Sequence, residues 1–144
     1  RAHEEFSVIE MAPGDAYVQQ FLDFHRRDIE RNQPSGLSPH AADTCVLVVM
    51  RDMVPAGVLM VGSPDADGSA EILLDYVTPA YRDLQIGRYL FRTNPEHLRD
   101  RGYRALAATA TSEEHRRYLG AIGFVPSDGG YHLTLPTGAT AQVR

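Results

Sequence analysis

The sequence predicts a single mixed α/β domain over residues 1–144. Three observations support this prediction. The length is enough to bury one full core. Along the chain, β-rich apolar runs alternate with segments whose apolar residues recur at helical spacing. Turn residues separate these segments, and together they give the order β-α-β-β-β-α-β-α-β-β.

The composition argues against several classes of partner. The net charge is -5 and no basic run occurs, so no nucleic-acid-binding face is expected. No apolar run approaches the length of a membrane span and no secretory signal is visible, so we expect a cytoplasmic protein without membrane contact. Cys45 is the single cysteine and lies in a β-branched run, as a buried bystander would. The six histidines show no ligand spacing, and no metal is expected.

The first half of the chain is predicted to contain four strands and one helix. A turn at Pro13 and Gly14 leads into the helix, whose apolar positions recur at helical spacing from Tyr17 to Ile29. Pro, Ser, Gly and Asn predict a loop over 32–43, and a hairpin turn is expected at 51–55. The predicted strands are 6–11, 44–50, 56–61 and 71–77.

The next helix is predicted over residues 86–101, with Pro95 inside it. Proline removes one helical hydrogen bond and clashes with the preceding turn. We therefore expect a kink or a restart there, with Thr93 or Asn94 as the cap.

The last helix has clear end signals. Thr111 and Glu114 match a capping box, with Thr111 as N-cap, and Gly123 is a natural C-cap. Strands are predicted on both sides of this helix, at 105–109, 124–125 and 131–135. The tail over 136–144 is polar and expected to fray.

The joint at residues 73–91 is the most informative local feature. A buried strand is followed by a short polar loop with a glycine and then by an amphipathic helix. The first N–H groups of a helix have no internal partner, and the helix dipole adds positive charge there. Arg82 and Arg88 flank the turn and can add charge-assisted contacts. The joint therefore predicts a phosphate-binding site.

Residues of this joint resemble motif A of the GNAT superfamily of N-acetyltransferases. The matching positions are Val77, Pro79, Tyr81, Arg82, Ile86, Gly87 and Leu90. Gln85 stands where the family's phosphate loop usually has its first glycine. Gly123-Phe124 is similar to the end of the family's motif B, and the predicted order of elements is the GNAT order over nearly the whole chain.

The resemblance implies a GNAT fold: a mixed central sheet with helices on both faces and a splayed parallel strand pair, here 73–77 and 105–109. It implies that acetyl-CoA sits in the gap, where freed backbone groups of Tyr76 and Val77 pair with its pantetheine arm. The activity implied is transfer of the acetyl group to an amine by direct attack. The implied cofactor-binding residues are Tyr76, Val77, Arg82, Asp83, Leu84, Gln85, Ile86, Gly87 and Arg88.

Glu71 is the candidate catalytic base, because it lies as far before Arg82 as the catalytic Glu of the histone-acetylating branch lies before its loop. Asp75 is the rival. Side chains alternate along a strand, so 71, 73 and 75 are expected on one face. The two carboxylates would be about 13 Å apart, and only one could serve the reacting centre.

The family's usual general acid is a Tyr whose position here is occupied by Leu119. Tyr118 lies one residue earlier, about 100° around the helix, so its hydroxyl is expected on a neighbouring face. Tyr118 and solvent both remain candidates for the acid.

Two functions remain open at this stage: an acyl-CoA-dependent N-acetyltransferase, and a non-catalytic acyl-CoA-binding regulatory module of the same fold. A flavodoxin-like protein is disfavoured by the consecutive strands at 44–61. Substrate choice is expected in the loop at 34–40. The sequence leaves open the amine acceptor, the acyl length and whether the protein is a homodimer.

Overall fold

A computed structural model describes residues 6–137 as a seven-stranded mixed sheet with helices on both faces. The strands are β1 (Phe6–Met11), β2 (Cys45–Arg51), β3 (Val54–Val61), β4 (Ser69–Val77), β5 (Ala105–Ala108), β6 (Val125–Ser127) and β7 (Gly130–Thr134). The helices are α1 (Ala16–Phe24), α2 (Arg26–Asn32), α3 (Gln85–Arg88), α4 (Glu96–Arg99) and α5 (Glu113–Ile122). The predicted mixed fold is confirmed, while most of the tail expected to fray, 138–144, lies outside the described residues.

The sheet is splayed at its centre. Its strand order is β1-β2-β3-β4-β5-β7-β6, and only the β4–β5 pair is parallel among the pairs of the described residues. This parallel pairing runs from Ser69↔Ala105 to Glu71↔Ala107 and then stops, although β4 continues to Val77. The predicted splay is confirmed, and the second half of β4 has a backbone edge that β5 does not cover.

Two apolar clusters fill the two faces of the sheet. Val46 and Val48 of β2 pack with α1 and α2, while their neighbours Leu47 and Val49 pack with α3, α4 and α5. This alternation is the period of two that places successive strand side chains on opposite faces. Both faces of β2 can be buried because the strand is apolar at nearly every position.

A β-bulge at Leu73 changes which side chains of β4 share a face. Met60 pairs with Leu74, but the next residue of β3, Val61, pairs with Ile72. Ile72 accordingly packs in one cluster and Leu74 and Tyr76 in the other. The expectation that 71, 73 and 75 share one face is wrong, because one extra residue reverses the alternation.

The helix breaks differ in part from the prediction. The first predicted helix is two helices, α1 and α2, separated at His25. After α3 the chain continues as a π-helical turn over Tyr89–Thr93, in which the Asn94 N–H donates to the Tyr89 carbonyl. The predicted break near Pro95 is confirmed, since α4 restarts beyond it. The predicted caps Thr93 and Asn94 are wrong, because Pro95 itself is the N-cap, with φ of -66°.

The predicted capping box of α5 is shifted by one residue. Ser112, not Thr111, is the N-cap, and its hydroxyl accepts from the His115 N–H at 3.1 Å. Glu114 does not reach back, because its carboxylate turns towards Arg82. Gly123 is the C-cap as predicted, with φ of 120°, a conformation that glycine adopts without a side-chain clash.

Candidate active site

The splay opens a cleft between the second half of β4 and α5. The cavity has a volume of about 300 Å³. Five parts of the chain line it: the end of α2, the end of β4, the turn after β4, α3 and α5. The lining residues are Asn32, Gln33, Asp75, Tyr76, Val77, Tyr81, Arg82, Leu84, Ile86, Gly87, Glu114, His115, Arg117, Tyr118 and Ala121.

The open backbone edge of β4 is occupied at Asp75 by the side chain of Gln33. The Asp75 N–H donates to Gln33 Oε1 at 2.9 Å, and Gln33 Nε2 donates to the Asp75 carbonyl at 3.2 Å. The Thr78 N–H instead donates to Ala56 of β3 at 2.9 Å. Because backbone groups alternate along a strand, Asp75 and Val77 turn towards the gap and Tyr76 turns towards β3. The expected cofactor contact of Tyr76 would therefore come from its side chain, which lines the cleft.

The turn after β4 carries one left-handed residue, Leu84, with φ of 71°. Gln85 is already helical, so the missing glycine at that position imposes no strain on it. The Gln85 N–H donates to Asp83 Oδ1 at 3.2 Å, and the Arg88 N–H donates to the Leu84 carbonyl at 3.0 Å. Of the predicted phosphate-binding amides, those of Ile86 and Gly87 lie in the first helical turn without an intrahelical partner.

A buried arginine holds this turn against the sheet. Arg51, at the end of β2, donates from both terminal nitrogens to the Asp83 carboxylate, each at 3.1 Å. Its guanidinium also lies 5.1 Å from the centre of the Tyr81 ring. Burial alone would raise the pKa of Asp83, but the hydrogen bond to Arg51 lowers it overall. The turn is therefore fixed by a charge pair and a cation–π contact.

Gly87 of α3 lies against the side chains of Tyr118 and Ile122 of α5. A Cβ atom placed there would lie 2.5 Å from the Tyr118 hydroxyl and 2.7 Å from Ile122 Cδ1. These distances are shorter than ordinary Cβ contacts, so a side chain at this position would force the ends of Tyr118 and Ile122 to move.

Arg82 bridges the mouth of the cleft. Its guanidinium donates to Asp28 of α2 and, at 3.5 Å, to Glu114 of α5, while Nε donates to the Val77 carbonyl at 2.7 Å. Asp28 also accepts from the Tyr76 hydroxyl at 2.8 Å. In this structure the predicted phosphate-binding arginine is thus committed to two carboxylates and a backbone carbonyl.

His115 and Asp75 form a buried pair in the cleft wall. His115 Nε2 lies 2.8 Å from Asp75 Oδ1, and the side chains are only 6% and 4% exposed. Burial alone would lower the pKa of His115, but the hydrogen bond and charge of Asp75, together with the charge of Glu114, raise it overall.

Tyr118 stacks on His115, with ring centres 6.1 Å apart and planes at 22°. Its hydroxyl lies beside Gly87 of α3. Burial, with a smaller contribution from the charge of Asp75, raises the pKa of Tyr118 well above its usual value. The side chain therefore reaches the cleft in the phenol form, and its catalytic role stays a prediction.

The structure brings most of the predicted site residues to one cleft. Those that line it are Tyr76, Val77, Arg82, Leu84, Ile86, Gly87 and Tyr118. The predicted cofactor contacts Asp83, Gln85 and Arg88 lie on the same turn and on α3, outside the cavity lining. Glu71 is exposed and does not line the cavity. Its role as base also stays a prediction.

Sequence reasoning missed the part of the site formed by Gln33 and His115. Gln33 contacts Asp75 from 42 residues away, and His115 pairs with Asp75 from 40 residues away. One signal was available: His115 lies three residues before Tyr118, so both fall on the same face of α5.

No family model matches the chain, and no curated protein matches its sequence. Structural comparison gives clear matches. A tandem GNAT protein from the clavulanic acid biosynthesis pathway is 23% identical with a TM-score of 0.60, over 86% of this chain and 45% of that one. This chain therefore spans about half the length of the tandem protein.

Two further matches contain coenzyme A. A proposed N-acetyl transferase from E. coli, bound to coenzyme A, is 18% identical with a TM-score of 0.61, over 90% of this chain and 98% of that one. N-acetylglutamate synthase from Neisseria gonorrhoeae, complexed with coenzyme A and N-acetyl-glutamate, is 15% identical with a TM-score of 0.60, over 91% and 36%. The chain has the GNAT fold.

Residues 6–137 contain neither a metal-binding cluster nor a membrane-spanning helix. No group of three or more His, Cys, Asp or Glu side chains is placed to hold a metal ion. No helix in this part of the chain is long and apolar enough to cross a membrane.

Proposed function

We propose that the protein is an acyl-CoA-dependent N-acetyltransferase that transfers an acetyl group from acetyl-CoA to an amine. One observation carries the proposal: β4 and β5 separate after Glu71, beside a turn whose helix begins with free amides. An open parallel strand edge can pair with an extended amide-containing chain, and the helix start can take phosphate. Structural neighbours that contain coenzyme A support the same assignment.

The residues present fit acetyl-CoA at three places. Ile86 and Gly87 offer backbone N–H groups to the pyrophosphate, and Arg88 follows them on α3. Val77 turns its backbone towards the gap, where a pantetheine amide can pair with it. The carboxamide of Gln33 already makes an equivalent pairing with Asp75, which shows that the position accepts an amide.

Acetyl-CoA supplies an activated acyl thioester that an amine can attack directly. Backbone N–H groups of β4 that face the gap can stabilise the negative charge that develops on the thioester oxygen. Val77, Leu84 and Ile86 give one side of the cleft an apolar wall. A proton is also needed on the departing sulfur, and Tyr118 and solvent are the candidates to supply it.

The test is release of free CoA thiol from acetyl-CoA across a panel of peptides, polyamines and aminoglycosides. We expect thiol release that depends on at least one amine and yields the acetylated amine by mass spectrometry. Absence of turnover with every amine, while calorimetry still shows acetyl-CoA binding, would instead favour the non-catalytic regulatory module. Absence of both binding and turnover would overturn the assignment.

A further inference from the structure

His115 and Asp75 each have one buried side-chain atom that makes no hydrogen bond within the described residues. His115 Nδ1 and Asp75 Oδ2 are fully buried, and neither has a hydrogen-bond partner within residues 6–137. A buried polar atom without a hydrogen-bond partner destabilises the fold. Such atoms are rare in native proteins, and a catalytic or ligand-binding role is one of the explanations for them. Both residues are part of the cleft lining, so the pair lies in the wall of the cavity.

The hydrogen bond between the two residues determines which nitrogen is basic. A carboxylate can only accept, so the hydrogen between His115 Nε2 and Asp75 Oδ1 belongs to the imidazole. In the neutral ring the lone pair is then on Nδ1, the atom without a partner. The carboxylate fixes the ring and stabilises the imidazolium that forms when Nδ1 takes a proton.

We propose that His115 is the proton acceptor for the incoming amine, at Nδ1, and that Asp75 is the positioning residue that holds Nε2–H. This inference rests on the proposed acetyl transfer. Glu71, the base expected from sequence, is exposed and outside the cavity lining. Because of the β-bulge at Leu73, the side chains of Glu71 and Asp75 also do not lie on the same face of β4.

The protons and electrons balance as follows. An alkylammonium acceptor gives one proton to His115 Nδ1 and becomes a neutral amine. The amine lone pair forms the new C–N bond to the thioester carbon, and the C–S bond breaks with its electron pair on sulfur. The nitrogen then gives up a second proton, and the sulfur gains one to become the free thiol. The proton held by His115 returns to solvent.

The charged and titratable groups around His115 set the direction of its pH dependence. Asp75 faces it from β4, Glu114, Arg117 and Tyr118 lie on α5, and Arg82 of the turn is paired with Glu114. The end of α2 contributes the neutral side chains of Asn32 and Gln33, with Asp28 held by Arg82. Asp75 and Glu114 favour the imidazolium and raise the pKa of His115, so its basic form prevails only above that raised pKa.

Two readouts test the inference. The first is the pH dependence of kcat/KM in thiol release for the wild type, His115→Gln and Asp75→Asn. The second is the imidazole titration of His115 by NMR in the free protein, which needs no turnover. His97→Gln is the matched control, because His97 is partly buried and bonded to the Tyr89 hydroxyl at 3.1 Å outside the cleft.

We expect His115→Gln to lower kcat by roughly 10²–10⁴-fold with acetyl-CoA affinity unchanged, and His97→Gln to leave kcat intact. We expect the acidic limb of the wild-type profile to coincide with the NMR titration of His115. Asp75→Asn removes the neighbouring negative charge, so both should move to lower pH together. Circular dichroism checks that each variant is folded. If His115→Gln is not folded, the inference is tested by whether the acidic limb and the NMR titration of Asp75→Asn move together.

Four results would overturn the inference. In a folded His115→Gln protein, kcat could stay within about threefold of wild type, less than a positioned base contributes. In Asp75→Asn, the acidic limb could stay in place while the NMR titration moves. Glu71→Gln could abolish turnover while His115→Gln does not, which would return the role to Glu71. A wild type that turns over no amine would remove the proposed function and this inference together, whereas the first three results leave acetyl transfer standing.

Discussion

The side chain of Gln33 pairs with the backbone of Asp75 as a neighbouring strand would. It accepts from the Asp75 N–H at 2.9 Å and donates to the Asp75 carbonyl at 3.2 Å. The pairing lies where β5 has already left β4. A pantetheine amide that used the same edge would have to displace this carboxamide.

Replacing Gln33 by alanine is therefore expected to tighten acetyl-CoA binding. Displacing the carboxamide costs about 1 kcal/mol net, so its removal should lower Kd by roughly fivefold in calorimetry. Gln20→Ala, on the exposed face of α1, is the control and should leave Kd unchanged. Weaker binding by Gln33→Ala would mean that Gln33 holds the ligand instead of competing with it.

The Arg51–Asp83 pair should make the free energy of unfolding depend on pH in the acidic range. The pKa of Asp83 lies below its usual value of 3.8, so the pair stabilises the fold above that pH and loses its effect as pH falls through the lowered pKa. Asp83 is 48% exposed, which limits the contribution. Asp83→Asn should cost about 0.5–1 kcal/mol of unfolding free energy at pH 7 by urea denaturation.

The difference between Asp83→Asn and wild type should vanish below the lowered pKa, since both side chains are then neutral. Asp100→Asn, exposed at the end of α4, serves as the control. A difference that persists unchanged into strong acid would show that the pair acts through packing and not through charge.

Tyr118→Phe should have a small effect on turnover. Burial and the charge of Asp75 raise the pKa of the phenol, which makes it a reluctant proton donor, and solvent can protonate the departing thiolate. We expect kcat to fall by less than about tenfold, with acetyl-CoA affinity unchanged. Tyr131→Phe, on β7, is the control. A specific loss above about 100-fold would identify Tyr118 as the general acid.

Gly87→Ala should destabilise the fold because its Cβ would meet Tyr118 and Ile122 closer than atoms can approach. Overpacking of this kind costs about 1–3 kcal/mol. Gly120→Ala in α5 is the matched control, since nothing lies within 4 Å of the added Cβ. It should stabilise the helix by up to about 1 kcal/mol. Equal stability of the two variants in thermal unfolding would contradict the close α3–α5 packing.

The order of strands and helices was predictable because it depends on local patterns of apolar, turn and capping residues. Pro95 predicted the break before α4, and Gly123 predicted the end of α5, since each acts through its own backbone. The bulge at Leu73 was not predictable, because it arises from the register between β3 and β4. No property of Leu73 itself indicates it.

The candidate site was predictable where a sequence motif marks it, in the turn after β4 and at Tyr118 shortly before Gly123-Phe124. The turn from Arg82 to Gly87 carries a motif, and the structure places most of it in the cleft. The contacts of Asp75 with Gln33 and His115 depend on how α2 and α5 close over the splayed strands. Such pairs produce no recognisable sequence motif, because each partner lies about 40 residues from Asp75.

The most direct test of the account is an amide chemical-shift map of the protein titrated with acetyl-CoA. The account predicts saturable shifts concentrated at Asp75 and Val77 of β4 and at Ile86 and Gly87 of the turn. The side-chain amide of Gln33 should shift as well, as it leaves Asp75. Shifts confined to other surfaces, or no saturable shifts, would contradict the claim that this cleft binds acetyl-CoA.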